Sequence, residues 1–221
     1  MIRLSPTTGL NLFKDCPKCF WLHYNEKVQR PRGIFPSLPS GMDLVIKKYF
    51  DNYRGNLPPE MVGKVEGNLI PDLNLMNQWR NWRTGLTYNR EDLDAQLFGA
   101  LDDCLIEDDC YIPLDYKTRG SAPRDGDSEK YYQTQLDAYS LMLDANGYKT
   151  KNYALLVYYY PSEVKSDGVV IFDIKPVKVE TNLDRVKNLF QDAVNLLNEP
   201  MPSHHTECEH CNWITSRTAY E

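Results

Sequence analysis

The sequence predicts an α/β fold, a mixed central β-sheet flanked by helices, and three observations predict it. Helical periodicity dominates the first part of the chain, while strand-like alternation crowds the middle. A helix, two strong strands and a long last helix then follow, an order that suits a sheet with helices packed on it. With 221 residues, 42% hydrophobic and 25% charged, the chain can bury one sizeable core.

Residues 5–23 read as a helix, with Ser5 as N-cap and Pro6 in the first helical position. Its apolar residues are Leu12, Phe13, Cys16, Phe20 and Leu22. Residues 28–40 read as a loop punctuated by Pro31, Pro36 and Pro39. Helical spacing resumes over residues 42–53, with Leu44, Val45, Tyr49 and Phe50 on one side, and stops before Pro58 and Pro59. A short helix is expected over 73–82. Strand character begins near Leu93, and LDAQLFGALDDCLIEDDCYIPLDYKTRG reads as two or three strands joined by sharp turns. A polar loop, SAPRDGDSEK, leads to a helix over 130–145 striped by Tyr132, Leu136, Tyr139 and Leu143. NYALLVYYYP and DGVVIFDIKPV read as strands. Thr181 and Asp184 suggest a capping box opening a helix to residue 198, and the tail after it has no clear period. These elements make one domain over residues 1–221: a mainly helical part to 90, a sheet and helix over 91–180, and a terminal helix with a cysteine-bearing tail over 181–221.

Charge and terminal composition narrow the function classes. No apolar run reaches the roughly 18 residues of a membrane span. MIRLSPTTGL lacks the apolar stretch of a signal peptide, so a cytoplasmic location without membrane contact is the expectation. A net charge of −6 argues against a protein that coats nucleic acid, though not against an enzyme with a local basic groove.

The chemistry concentrates between residues 99 and 139. If residues 99–107 and 110–118 pair as a hairpin turning at Asp108 and Asp109, Asp102 lies directly opposite Asp115. Facing β-carbons are then about 4.5–5.5 Å apart. Lys117, two residues on, shares the face of Asp115. Two facing carboxylates repel unless a cation lies between them, and hard oxygen ligands suit Mg²⁺ or Mn²⁺. A lysine beside such an ion can orient a water and stabilise charge on a phosphate. The set suits phosphodiester hydrolysis.

Gly99-Ala100-Leu101-Asp102, Leu114-Asp115-Tyr116-Lys117 and Gln135-Leu136-Asp137-Ala138-Tyr139, in that order, resemble the PD-(D/E)XK nuclease superfamily and the Q-x-x-x-Y motif of its RecB-type branch. The resemblance implies a restriction-endonuclease-like fold and a metal-dependent DNA nuclease, an exonuclease by preference. Its catalytic residues would be Asp102, Asp115, Lys117, Gln135 and Tyr139, with Asp102, Asp115 and the Tyr116 carbonyl holding Mg²⁺ or Mn²⁺. An early helix of RecB-type nucleases often carries a histidine; here Val45 stands about there, and Asp43 could offer a substitute oxygen. That departure keeps an alternative open: a weak or inactive nuclease-fold module that binds DNA and is braced by a cysteine metal site.

The brace is expected from Cys16-Pro17-Lys18-Cys19 and Cys208-Glu209-His210-Cys211, whose four thiolates can close a tetrahedral site. The sequence resembles iron–sulphur exonucleases of CRISPR adaptation, which implies a [4Fe–4S] cluster, with Zn²⁺ as the alternative. That family uses one early and three late cysteines, whereas this chain offers two and two, with Ala219 or a neighbour where a last cysteine would fall. His204, His205 and His210 could join a zinc site; Cys104 and Cys110 read as small buried residues. For DNA, Arg119, Arg124 and Lys130 are the leading contacts. Lys27, Arg30, Arg32, Lys47 and Lys48 are further candidates, as is the group Trp79, Arg80, Trp82 and Arg83.

Overall fold

The computed structural model describes residues 1–218 and 220; the expectation at Ala219 lies outside them. It has the expected α/β architecture, mixed β-ladders with helices on both faces. A short strand, β1 (Ile2–Leu4), precedes the first helical region. The helix expected over 5–23 is broken into a π-helical turn (Pro6–Leu10), α1 (Asn11–Asp15) and α2 (Pro17–Asn25). Ser5 does cap it, its hydroxyl accepting from Thr8 N at 3.2 Å. The break falls at Cys16, which is extended at φ −160° and ψ 111°. Pro17 disfavours helical backbone in the residue before it.

Helix α3 (Ser37–Asp51) begins earlier than residue 42, because Pro39 falls in a first turn that needs no intrahelical N–H. A two-residue strand, β2 (Asn68–Leu69), leads to α4 (Leu73–Arg80), capped by Asp72. Strand β3 (Leu86–Arg90) then pairs with β4 (Ala95–Gly99), so strand structure starts ahead of Leu93. Strands β5 (Asp103–Glu107) and β6 (Cys110–Thr118) form the expected hairpin. Asp108 and Asp109, at φ 49° and 59°, make its left-handed two-residue turn. Helix α5 (Asp127–Ala145) starts three residues before Lys130 and carries the chain from β6 to its parallel neighbour β7 (Tyr153–Val164). Strand β8 (Val170–Glu180) returns antiparallel. The cap of α6 (Leu183–Leu197) is Asn182, accepting from Arg185 N at 3.0 Å, rather than Thr181. The tail expected to be irregular contains α7 (Glu209–Thr218).

The expected single sheet is split into two mixed ladders, β1-β4-β3 and β2-β5-β6-β7-β8. Residues 100–102 leave the ladder between β4 and β5, and Leu101 N donates instead to Trp79 O at 3.0 Å. Alternation along β6 sends Ile112, Leu114 and Tyr116 to the face covered by Ile46 and Phe50 of α3. Asp115 and Lys117 point the other way, toward α5. On that side, Trp79, Leu97, Leu141, Met142, Phe190 and Val194 pack α4, β4, α5 and α6 into the main core. The break at 100–102 therefore lies between the two helix layers, open to both α3 and α5.

Candidate active site

The ladder Asp103↔Leu114 through Glu107↔Cys110 keeps the register inferred from the sequence; Asp102 lies just past its end, close enough to Asp115 to act on its carboxyl. Gly99 allows α5 to approach this turn. A β-carbon there would lie 3.1 Å from the Tyr139 ring and 2.7 Å from the Met142 methyl.

Asp115 is buried and Asp102 half-buried. Gln135 donates from Nε2 to Asp115 Oδ1 at 2.9 Å and to Tyr139 Oη at 2.8 Å, so the Q-x-x-x-Y pair orients one oxygen of the carboxylate. Lys117 Nζ lies 2.5 Å from Asp115 Oδ2. It also donates to Gln135 Oε1 at 3.4 Å and sits 4.6 Å above the Tyr132 ring. Yet Asp115 Oδ2 has no donor in hydrogen-bonding geometry. Burial pushes the Asp115 carboxyl up to about 7; Lys117 opposes the shift and Asp102 adds to it. A buried carboxylate beside a second carboxylate calls for positive charge, which Lys117 supplies here and which a divalent cation could also supply. Tyr116 places its side chain in the α3 core, but by the alternation of the ladder its carbonyl points toward the β5 side, past the end of that strand.

Residues outside the sequence motifs complete the site. Lys47, on α3, reaches Asp102 Oδ1 at 2.7 Å and Asp43 Oδ2 at 2.8 Å. Arg80 Nε donates to the Asp102 carbonyl at 2.8 Å and, through its other nitrogens, to Asp51 and Asp103. Asp103, fully buried, also accepts from both terminal nitrogens of Arg54 (2.8 and 2.5 Å), from Tyr116 Oη (2.6 Å) and from Cys104 N (2.8 Å). The doubled aspartate was the available signal: neighbours on a strand face opposite ways, so one of the two had to enter a core and be neutralised there.

Several expected DNA contacts are engaged elsewhere. Trp79 is core and Arg80 belongs to the Asp103 network. Arg30 pairs with Asp15 and donates to Cys208 Sγ at 3.2 Å. Lys47 is held at the site, and Arg119 pairs with Asp127 at 2.7 Å. Arg124, Lys130 and Lys48 are exposed, as is Trp82, with Arg83 stacked 4.9 Å from its ring centre.

The four cysteines meet as expected. Cys16, Cys19, Cys208 and Cys211 bring their sulphurs within 4.8 Å of one another, joining α2 to the start of α7. The shorter separations are 3.5 Å (Cys19–Cys211), 3.8 Å (Cys19–Cys208) and 3.9 Å (Cys16–Cys211). Zn–S bonds of about 2.3 Å at tetrahedral angles put sulphurs about 3.8 Å apart. A four-iron cube binds each thiolate on a different corner and spreads them farther. Burial and neighbouring thiols push the Cys211 thiol up. Burial also acts to raise Cys16, but hydrogen bonds involving the Cys19 and His205 backbone and adjacent thiols bring it down to about 7. Four thiolates ionise together only around a cation. His204, His205 and His210 are not in the group, and Cys104 and Cys110 are buried apart from it.

The model of the PD-(D/E)XK nuclease superfamily matches residues 73–216, which include both halves of the hairpin, α5 and the two late cysteines. The chain belongs to this superfamily. Among solved structures, the crystal structure of SSO0001 is similar over 82% of this chain and 70% of its own, at 16% identity and a TM-score of 0.41. No curated protein matches the sequence. No helix among the described residues is long and apolar enough to cross a membrane.

Proposed function

We propose that this PD-(D/E)XK chain is a DNA nuclease dependent on Mg²⁺ or Mn²⁺, acting as an exonuclease of the RecB type. The observation that carries the reading is the buried Asp115 carboxylate, with Gln135 on one oxygen, Lys117 Nζ 2.5 Å from the other, and Asp102 near enough to act on it. Asp102, Asp115 and the Tyr116 carbonyl are the residues that would hold the ion. Such an ion polarises a phosphoryl oxygen and acidifies a water. Gln135, braced by Tyr139, keeps Oδ1 of Asp115 fixed, so Oδ2, which lies beside Lys117, is the oxygen that would turn to the cation. Lys117, anchored over Tyr132, holds a positive charge where the attacking water and the phosphate must meet. Arg124 and Lys130, exposed around the start of α5, take the incoming strand; Arg119 steadies their loop through Asp127.

The cysteine centre in this reading takes one Zn²⁺, supported by the sulphur spacing, and serves as a brace in place of the [4Fe–4S] cluster implied by resemblance. Elemental analysis of anaerobically purified protein should give about one zinc per chain and no visible colour. Brown protein with stoichiometric iron would replace zinc with a cluster.

End-labelled single- and double-stranded DNA, incubated with the protein and Mn²⁺, tests the activity. Mononucleotide or short products that accumulate from one end, abolished by EDTA, are expected. Internal cuts would overturn the exonuclease mode, and tight binding with no cleavage would favour the DNA-binding module.

A further inference from the structure

Lys47 lies in none of the motifs, yet it has one of the most constrained positions at the site. It projects from α3 with its side chain only 20% exposed, and its ammonium lies between Asp102 Oδ1 at 2.7 Å and Asp43 Oδ2 at 2.8 Å. Asp43 is one turn back on the same helix, so α3 supplies both the cation and an anchor that aims it. The site thus gathers three carboxylates, Asp43, Asp102 and Asp115, and two ammonium groups, each within ion-pair distance of a different member of the facing pair: Lys117 on Asp115, Lys47 on Asp102.

A pair of divalent ions in a phosphoryl-transfer site sits roughly 3.5–4 Å apart, and each ion needs oxygens of its own. Asp115 Oδ1 is oriented by Gln135 and Oδ2 lies 2.5 Å from Lys117, so this carboxylate is directed to the ion on the Lys117 side of the site. The remaining candidates are the outer oxygen of Asp102 and the carboxylate of Asp43, the two groups that Lys47 bridges. A second divalent ion would have to displace an ammonium tethered by its own helix, or share its oxygens against like-charge repulsion.

We propose that Lys47 is a resident cation standing where a second divalent ion would bind, so that the catalytic site takes one ion and Lys47 acts as a positioning residue for Asp102. This rests on the metal-nuclease reading above. In consequence, the positive charge on the Asp102 side of the site does not vary with metal concentration.

The test uses protein carrying its cysteine-bound metal, crystallised and soaked in Mn²⁺, with anomalous scattering locating the ions. Wild type should show one manganese peak, between Asp102 and Asp115. Lys47→Met should show two, the new one between Asp43 and Asp102, and adding Asp43→Asn should return the count to one. Lys47→Gln, which keeps a hydrogen-bonding side chain, is the second variant should methionine disturb α3. Two peaks in wild type would overturn the inference while leaving the metal site intact. One peak in wild type and in both Lys47 variants would also overturn it, since the lysine would then not be what excludes the ion. No peak at Asp102 and Asp115 in any of the proteins would reject the metal-nuclease reading itself.

Discussion

The carboxylate of Asp115 governs the proposed chemistry, and its surroundings make it titrate unusually. Its ordinary value is 3.8, and in the fold burial raises it to about 7, with Lys117 opposing and Asp102 adding. Between about pH 4 and 7 the folded metal-free protein therefore retains a proton that the unfolded chain has released. Stability from this group falls as pH rises through that window and levels off above it. Thermal melts of metal-free wild type and Asp115→Asn across that range should show the extra downward slope in wild type alone; parallel curves would contradict the assignment. A divalent ion must displace the same proton, so Mn²⁺ should raise the melting temperature more at pH 8 than at pH 6. Gln135 acts one step out. Gln135→Ala removes the donor to Asp115 Oδ1 and the contact with Tyr139. Outer partners of metal ligands typically contribute about 10–100-fold in metal affinity or activity, and a loss in that range is expected in the Mn²⁺ dependence of cleavage. Asp102, Asp115, Lys117 and Gln135 are legible in the sequence, because each sits in a motif of fixed spacing. Lys47 was legible only as a surface cation, because its partner Asp102 is distant in sequence and the contact of α3 with the 100–102 segment is tertiary.

At the scale of elements, the turn and register of the β5–β6 hairpin were readable, although its first strand begins at Asp103 rather than at Gly99. Asp108 and Asp109 tolerate left-handed backbone, and a two-residue turn leaves one register. Helices α5 and α6 and strands β7 and β8 followed from periodicity, with ends displaced by caps the pattern did not specify. What escaped were the short pieces whose order depends on neighbours: β1 is three residues, β2 two, and both exist through pairing with β4 and β5. The interruption of the long first helix was latent in Pro17. The buried Asp103 network joins elements that the sequence shows separately: β5, α4, β6 and the turn after α3 that carries Arg54. Breaking a buried ion pair from one side leaves an uncompensated charge and costs about 3–5 kcal/mol. In Arg54→Met, Arg80 and Tyr116 still reach Asp103, so urea unfolding should show a smaller loss, about 1–3 kcal/mol. A change below about 1 kcal/mol would mean the network does not hold β5 in place.

For the whole molecule, the cysteine centre ties α2 to the tail and closes a loop of nearly the full chain. Four cysteines in two C-x-x-C pairs were readable as a metal site; the spacing of their sulphurs needed the fold. Because the main core is built without it, metal removal should loosen the closure while leaving the core folded. Chelation should lower the melting temperature by several degrees and increase proteolysis within α7 before the sheet is cut. Loss of all structure on chelation would make the metal a condition of folding. With a net charge of −6 and few exposed cations near the proposed site, DNA binding should weaken with salt with a shallow slope, set by a few phosphate contacts. Asp102, Asp115 and Lys117 are proposed to form a metal-dependent cleavage site in this fold. Single-turnover cleavage of DNA in Mn²⁺ by wild type and by Lys117→Ala, both confirmed folded, tests it most directly. Robust cleavage by wild type and a loss of at least about 100-fold in the variant are expected, in line with removing a group that stabilises transition-state charge. Equal rates in the two proteins would contradict it.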